Sequence, residues 1–531
     1  MTASQDARAA EREALRRTWR SVGVYSDLTM GSALIAGADA HPDDAIIFAT
    51  ADGPTDHATL ASLHAGARRI AARLHHLGLE PGEAVAVQAP ADRTSTELLQ
   101  ALWLLGAVVV PLVAAYGDAE VGHIVRESRA TTYVSPATWR GVELAARAVE
   151  HADDWGLERV IVLGAEARSG TVSLDSVPAG HDLRIAAPDP AELCCILYTS
   201  GSTAAPKGVQ HSHETLLAGI TAVPADRSMR TLATFPAGHI ASLLALVRPL
   251  SVGGTTVVMD RWSARRAAEL IEAHRLTFGS GTPFFLLTLL DEADRAGRDI
   301  SSLRAFLCGA ASVPPSLVAR ATERGIVSWR TYGSTEHPGI SSGVATDDVA
   351  KRTLTDGRVA PGNEVRLIDE HGAEVAPGEE GEIVSRGPKQ FLGYCDASLD
   401  EDAFAGSWFR TGDLGRLDPD GYLIVTDRVK DIIIRGGENI SAREVEDVLA
   451  EHADVEEVAV CAAPDELWGE RVCAFVRPAP GASLTLEGLV EHVGAAGLAA
   501  HKAPAQLVLV DDFPRTAAGK VRKQDLKASL R

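Results

Sequence analysis

Tyr198-Thr199-Ser200-Gly201-Ser202-Thr203-Ala204-Ala205-Pro206-Lys207-Gly208-Val209 carries the plainest chemical signal in the chain. The hydroxyls of Thr199, Ser200, Ser202 and Thr203 are hydrogen-bond donors, and Lys207 supplies a full positive charge. Gly201 and the small side chains around it let backbone N–H groups approach a ligand closely, so the stretch is built to hold phosphate. The apolar run Leu193-Cys194-Cys195-Ile196-Leu197 before it reads as a buried strand. The common P-loop places a glycine directly before its lysine, and here Pro206 stands there, so this is a different phosphate loop. The formal net charge is −21, so any site for an anion must concentrate its few cations locally.

That charge argues against a nucleic-acid or anionic-membrane partner, either of which wants a basic surface. With 531 residues, 46% of them hydrophobic and 23% charged, the chain is an ordinary globular protein long enough for two or more domains. Cys194, Cys195, Cys308, Cys395, Cys461 and Cys473 form no CxxC pair and no metal spacing. Several lie in apolar runs, so buried free thiols in a reducing compartment are expected. No apolar run is long enough to span a bilayer, and residues 1–20 are charged with no apolar signal core. A cytoplasmic location is expected.

The elements that must position the loop alternate between helix and strand. Residues 58–78 have apolar spacing of helical period ending at Gly78, and 83–90 read as a strand. Thr94 to Leu105 read as a helix, and Ala107 to Leu112 as a buried strand. Beyond the loop, residues 209–220 are expected to be a helix and Ser251 to Met259 a strand. Residues 263–290 are expected to form a helix, a short strand and a second helix. Arg304-Ala305-Phe306-Leu307-Cys308-Gly309-Ala310-Ala311 reads as a strand ending in small residues, which expose backbone groups to a flat ligand. The fold class expected is α/β, a large N-terminal domain of parallel-rich sheets flanked by helices plus a small mobile α+β C-terminal domain.

The order Thr-Ser-Gly-Ser-Thr-x-x-Pro-Lys-Gly resembles the phosphate loop of the AMP-forming adenylating enzymes: acyl-CoA synthetases, adenylation domains and luciferases. Further stretches resemble that family's motifs in the family's order. Thr231 to Ile240 is similar to a motif near the acyl pocket, which implies that His239 lies beside the substrate carboxylate. The turn Gly309, Ala310 and Ala311 is implied to line adenine and the acyl pocket. Tyr332-Gly333-Ser334-Thr335-Glu336-His337 resembles the "YGxTE" motif. The resemblance implies an aromatic against the nucleobase (Tyr332), a hydroxyl on phosphate (Thr335) and a carboxylate on phosphate-bound Mg²⁺ (Glu336). Asp413, in a glycine-flanked turn, is implied to accept from both ribose hydroxyls. Gly281, Gly309, Gly333 and His337 join His239 as expected neighbours of the acyl end.

Asp427-Arg428-Val429-Lys430-Asp431 resembles the family's hinge. Arg428 is implied to contact ribose and phosphate, and Lys430 to be the pivot between domains 1–429 and 430–531. Beyond it, Ser441 and Glu444 are spaced as a capping box for a helix with Val445, Val448 and Leu449 inward. Pro514-Arg515-Thr516-Ala517-Ala518-Gly519-Lys520 resembles the C-terminal catalytic loop, with Lys520 bridging the substrate carboxylate and the α-phosphate. Two unit charges about 4 Å apart at an effective dielectric near 20 interact by about 4 kcal/mol before desolvation, enough to help bring two anions together. The family usually has Gly at Ala204 and Thr or Ser at Ala518. Alanine makes positive φ cost about 1 kcal/mol.

The resemblance covers essentially the whole chain. It implies ATP, Mg²⁺ and coenzyme A as cofactors and cosubstrates, and a small-molecule carboxylic acid as the partner that is activated. In the second half-reaction Gly436, Gly437 and Glu438 would face the pantetheine arm. The Arg-Gly-Gly-Glu-Asn turn is similar to CoA ligases, but freestanding aryl-adenylating relatives have a similar turn. The alternative acceptor is therefore a separate carrier protein or partner acyltransferase. Eleven residues follow Lys520, so no fused carrier domain is expected. A non-catalytic nucleotide binder is a third reading, disfavoured by intact Lys207, Glu336, Asp413, Arg428 and Lys520. The small residues near the acyl end suggest an alicyclic, aromatic or bulky polycyclic acid, and the enzyme is expected to be a monomer or homodimer.

Overall fold

The computed structural model describes residues 3–164, 169–179, 183–199, 206–221, 226–234, 238–311, 313–435, 438–465, 467–516 and 519–530, with side chains from residue 8 onward. It is a mixed α/β protein with a large N-terminal domain of parallel-rich sheets and a small C-terminal domain. Among the described residues the large domain holds a nine-stranded, an eight-stranded and a five-stranded sheet, and the small domain one five-stranded sheet.

In the nine-stranded sheet, Phe278–Gly281, Ala305–Cys308 and Val327–Tyr332 run parallel and side by side. Their carboxyl ends therefore deliver Gly281, Gly309 to Ala311, and Tyr332-Gly333 to one rim, where open α/β sheets bind ligands. The helix Pro283–Ala296 leaves that rim directly, with proline in its first turn where no intrahelical N–H is needed.

In the eight-stranded sheet, Leu193–Thr199 lies parallel to Val108–Leu112, with Val109 opposite Cys195. Cys194 and Cys195 are fully buried, and burial pushes both thiols up. All six cysteines are free thiols and five are buried, as their apolar surroundings suggested. No helix among the described residues is long and apolar enough to cross a membrane.

Three local expectations are corrected. Residues 209–212 continue the strand Lys207–Ser212, and the helix is only His213–Thr221. That strand folds back antiparallel on Leu193–Thr199, with Thr199 opposite Lys207, and its other edge takes Gly393–Tyr394. Two hydrogen-bonded edges outweigh the helical look of the sequence. Ser212 and Thr215 then cap the helix reciprocally, each hydroxyl accepting the other's backbone N–H at 3.3 and 3.1 Å.

The second correction is the strand expected from Ser251. Ser251 and Val252 end the helix Ile240–Val252, and the strand is Thr255–Met259. Gly253 and Gly254 at φ 78° and 110° separate the two. The third is the capping box. Ser441 Oγ accepts the Glu444 N–H at 3.0 Å, but the Glu444 carboxylate takes the Lys502 ammonium at 2.6 Å.

In the small domain, Ile433–Arg435 pairs with Gly469–Pro478, which also carries Val455–Asp465 and, in parallel, Gln506–Leu509. The helix Ala442–Leu449 lays Val445 and Leu449 into that core. The last strand of the large domain, Leu423–Arg428, and Ile433–Arg435 are four residues apart in sequence and belong to different sheets.

Candidate functional site

Three motifs far apart in sequence meet at Asp413. Asp413 and Arg428 are directly opposite on paired antiparallel strands, and Arg428 Nε donates to Asp413 Oδ1 at 2.7 Å. Tyr332, at the end of its strand, donates its hydroxyl to Asp413 Oδ2 at 2.7 Å. The Asp413 carboxylate is only 8% exposed, and these partners satisfy both of its oxygens. Burial and the Asp413 charge together push the Tyr332 phenol well up, so it stays a donor. The Asp413 charge likewise raises the Arg428 guanidinium.

A second cluster forms around Glu336. Its Oε1 accepts the Tyr394 hydroxyl at 2.8 Å, and the Lys207 ammonium lies over the Tyr394 ring, 5.3 Å from its centroid. The backbone on either side is pinned as well. Thr335 O accepts from His211 Nε2 at 2.8 Å, and Glu336 O accepts the Phe391 N–H at 2.7 Å. Donation to a carbonyl requires the proton on Nε2, so Nδ1 accepts from Thr215 Oγ1 at 3.1 Å. Burial holds the fully enclosed His211 imidazole at about 4, so it is neutral in this role.

The small domain reaches the site through its last loop. Arg515 lies over the Phe284 ring, 4.7 Å from the centroid, and its Nη1 donates to Gly519 O at 3.1 Å. Gly519 sits at φ 81° against Phe284, where a Cβ would come within 2.8 Å of the ring. Only glycine fits there. The loop thus docks on the helix Pro283–Ala296 and carries Lys520 with it. Lys520 is exposed by surface area, while crowding by the surrounding protein and then the nearby Arg428 lower its ammonium pKa. Asp413 and Asp431 act in the opposite direction. Asp427, on the large domain, accepts the Arg443 N–H at 3.3 Å in the first turn of Ala442–Leu449. That places a carboxylate at a helix N-terminus across the domain boundary.

His239 stands just before the helix Ile240–Val252, with Nε2 buried and without a hydrogen-bond partner among the described residues. Burial lowers its pKa, so the ring is a neutral donor or acceptor awaiting a partner. Two expectations about the acyl end are corrected. His337 is fully buried, with Nδ1 on Ser385 Oγ at 2.9 Å and Nε2 on Asn363 Oδ1 at 3.2 Å. Both ring nitrogens are used by the fold, and burial holds the ring at about 3.

The glycines at 281, 309 and 333 are closely packed against protein on the side a Cβ would occupy. A Cβ at Gly281 would meet Phe285 at 2.8 Å and Phe306 at 3.3 Å, and one at Gly309 would meet Thr331 at 2.7 Å. At Gly333 it would meet Gly339 N at 2.4 Å. Close protein packing demands these glycines. Ala310, between Gly309 and Ala311, adopts φ 64°, the left-handed region that costs a non-glycine residue roughly 1–2 kcal/mol. Strain of this kind is held at functional turns.

Thr199 ends its strand opposite Lys207. Ser200, Gly201, Ser202, Thr203 and Ala204 lie outside the described residues, as do Gly436, Gly437 and Ala518. Glu438 is exposed at the start of Glu438–Ile440, and Lys430 is exposed in the link between the sheets. Tyr394, His211 and Phe284 were not anticipated. Each is an unremarkable residue in sequence, and only the aromatic after Gly393 offered any hint.

Among known proteins, the AMP-binding enzyme family matches residues 35–395, and the AMP-binding enzyme C-terminal domain matches residues 444–520. A medium-chain fatty-acid–CoA ligase of Escherichia coli K12 is 32% identical over 98% of this chain and 93% of its own. A feruloyl-CoA synthase of an Amycolatopsis species is 33% identical over 88% of this chain and 93% of its own. The amide bond synthetase McbA of Marinactinospora thermotolerans is 28% identical, covers 94% of this chain and 100% of its own, and superposes with a TM-score of 0.82.

Two outcomes follow. Replacing Ala310 by Gly should raise stability by up to about 1 kcal/mol in denaturant unfolding, while Ala310→Val should lower it. Equal midpoints for all three would show that the turn is unstrained. His211 and His337 titrate at about 4 and about 3 in the fold but near 6.5 when unfolded. The unfolded chain binds the extra protons, so stability is full above about 6.5 and falls as pH drops towards 4 and 3. His211→Gln should flatten that slope in thermal melts. An unchanged slope would remove His211 from the account.

Proposed function

Because the chain belongs to the AMP-binding enzyme family, we propose that it activates a carboxylic acid with ATP. The products of that first step are an acyl adenylate and pyrophosphate, and the acyl group then passes to coenzyme A. The observation that carries this reading is the convergence of Tyr332, Asp413 and Arg428 with Lys520 in their field.

Asp413 presents a carboxylate whose two oxygens, now on Tyr332 and Arg428, suit the paired hydroxyls of a ribose. Tyr332 packs against the base. Arg428 and Lys520 are the cations nearest the point where the acid's carboxylate meets the α-phosphate. Lys520, with its lowered pKa, is poised between two anions rather than locked to one. His239, with an unpartnered nitrogen, is the group to orient the acid's carboxylate. Gly309, Ala310 and Ala311 offer backbone groups to the adenine. Lys207 and Thr335 are the described groups to meet the leaving pyrophosphate, and the hydroxyls of Thr199, Ser200, Ser202 and Thr203 are the donors the sequence offers it. Catalysis is positioning and charge neutralisation, with no protein nucleophile.

Glu336 fits a role in holding Mg²⁺. Among the described residues no cluster of three or more His, Cys, Asp or Glu is preformed. Mg²⁺ takes one or two carboxylates and completes its shell with phosphate oxygens and water, so a single placed carboxylate suffices. Bound there, the ion neutralises charge on the phosphates.

For the second half-reaction, rotation at Lys430 withdraws Lys520 and turns Gly436, Gly437 and Glu438 to the site. Similar proteins include CoA ligases and an amide bond synthetase. An amine or a carrier-bound thiol is therefore the competing acceptor to be tested against coenzyme A. The tight packing at Gly281 and Gly309 favours a flat aromatic or slender acid over a polycyclic one.

Pyrophosphate release over a panel of acids, followed by mass spectrometry with coenzyme A, tests the reading. Adenylate that accumulates without an acyl-CoA product would favour another acceptor. Lys520→Ala should cut pyrophosphate release by about 100- to 1000-fold while leaving transfer from a supplied acyl adenylate nearly intact. Equal loss of both steps would contradict the alternation of the two domains.

A further inference from the structure

Arg8, Arg12, Arg16 and Arg20 recur every fourth residue along the N-terminal helix Ala3–Ser21, so they share one face. That helix precedes the region matched by the family, which begins at residue 35. Its arginines grip two places. Arg16 and Arg20 both hold the carboxylate of Glu214, a buried residue in the first turn of His213–Thr221, at 2.6 Å. Arg12 donates to three successive backbone carbonyls, Gln390 O at 2.9 Å, Phe391 O at 2.6 Å and Leu392 O at 3.2 Å. Arg8 pairs with Asp400 Oδ2 at 2.7 Å, and Asp400 Oδ1 accepts the Tyr394 N–H at 2.9 Å.

The gripped segment is the one that fixes Glu336. Phe391 N–H holds the Glu336 carbonyl and the Tyr394 hydroxyl holds its carboxylate. A three-carbonyl clamp by one guanidinium is geometrically demanding, because its donors lie in a fixed planar fork. We propose that the N-terminal helix is a positioning strap for Glu336, acting through Arg12 and Arg8 on residues 390–400. Arg12 is a positioning residue, about two contacts removed from the phosphates. This rests on the reading of Glu336 as the carboxylate for phosphate-bound Mg²⁺. It adds that the aim of that carboxylate is set by a helix outside the matched family region.

The test is calorimetric titration of the full chain with ATP, once in excess magnesium chloride and once in EDTA. Arg12→Gln should weaken binding of Mg·ATP by about tenfold, the lower end for residues that orient a metal-site group, and leave ATP in EDTA unchanged. Arg12→Lys should recover part of the loss. Arg8→Ala, at the rim of the strap, should show a smaller loss in the same direction with an unchanged melting temperature. Glu336→Gln is the reference. If it loses Mg·ATP selectively and Arg12→Gln does not, the strap is overturned and the role of Glu336 stands. If Glu336→Gln leaves Mg·ATP binding unchanged, the Glu336 reading falls and the strap with it. Equal weakening of both forms of ATP by Arg12→Gln and Arg8→Ala would mark a role in general stability and overturn the proposal.

Discussion

The carboxylate of Asp413 is the constraint around which the site is arranged. A buried carboxylate must be fully partnered, and here the partners come from the carboxyl end of an inner strand and from the facing strand. Tyr332 arrives with the parallel strand Val327–Tyr332, and Arg428 with the last strand of the large domain. Satisfying one carboxylate therefore fixes the nine-stranded sheet against the five-stranded one. It also sets the electrostatic field in which Lys520 sits. In a chain of net charge −21, Arg428 and Lys520 thus form a local pair of cations beside Asp413.

The two ends of the site are built on different principles. Around Asp413 the groups are paired and held by register, since Asp413 and Arg428 face each other across a ladder. Around Glu336 the donors are neutral: the Tyr394 hydroxyl on its carboxylate and the Phe391 N–H on its backbone carbonyl, with a neutral His211 behind Thr335. These contacts add no formal charge, which suits the role proposed for Glu336 with Mg²⁺ and phosphates. The strap of arginines lies one layer further out, where its charges are spent on carbonyls and on Glu214 rather than on Glu336 itself.

Much of this was legible in the chain. The strand before the phosphate loop, the helix–strand–helix of residues 263–290 and the helix that starts after Ser441 all follow local pattern and capping chemistry. The misreadings have a common cause. Residues 209–212 look helical until Gly393–Tyr394 supplies a second strand edge. His337 looks like a ligand-facing histidine until Ser385 and Asn363 are seen on its two nitrogens. The glycines at 281, 309 and 333 look like open space until Phe285, Phe306, Thr331 and Gly339 are seen to fill it. In each case the deciding neighbour lies on another element, and its presence leaves no trace in local sequence.

By itself the sequence determined the family. Residue types and their order carry its motifs, including the candidate phosphate loop, Asp413 in its turn and Lys520 on a distant loop, because those properties belong to side chains and short turns. Tertiary structure alone decided which groups act together. Tyr394 reaches Glu336 across 58 residues, Arg12 reaches Phe391 across 379, and the Arg515–Gly519 loop docks on Phe284. Such contacts are set by sheet order, helix docking and domain closure. A hydrogen bond at under 3 Å depends on where two elements pack, and no spacing along the chain encodes that distance.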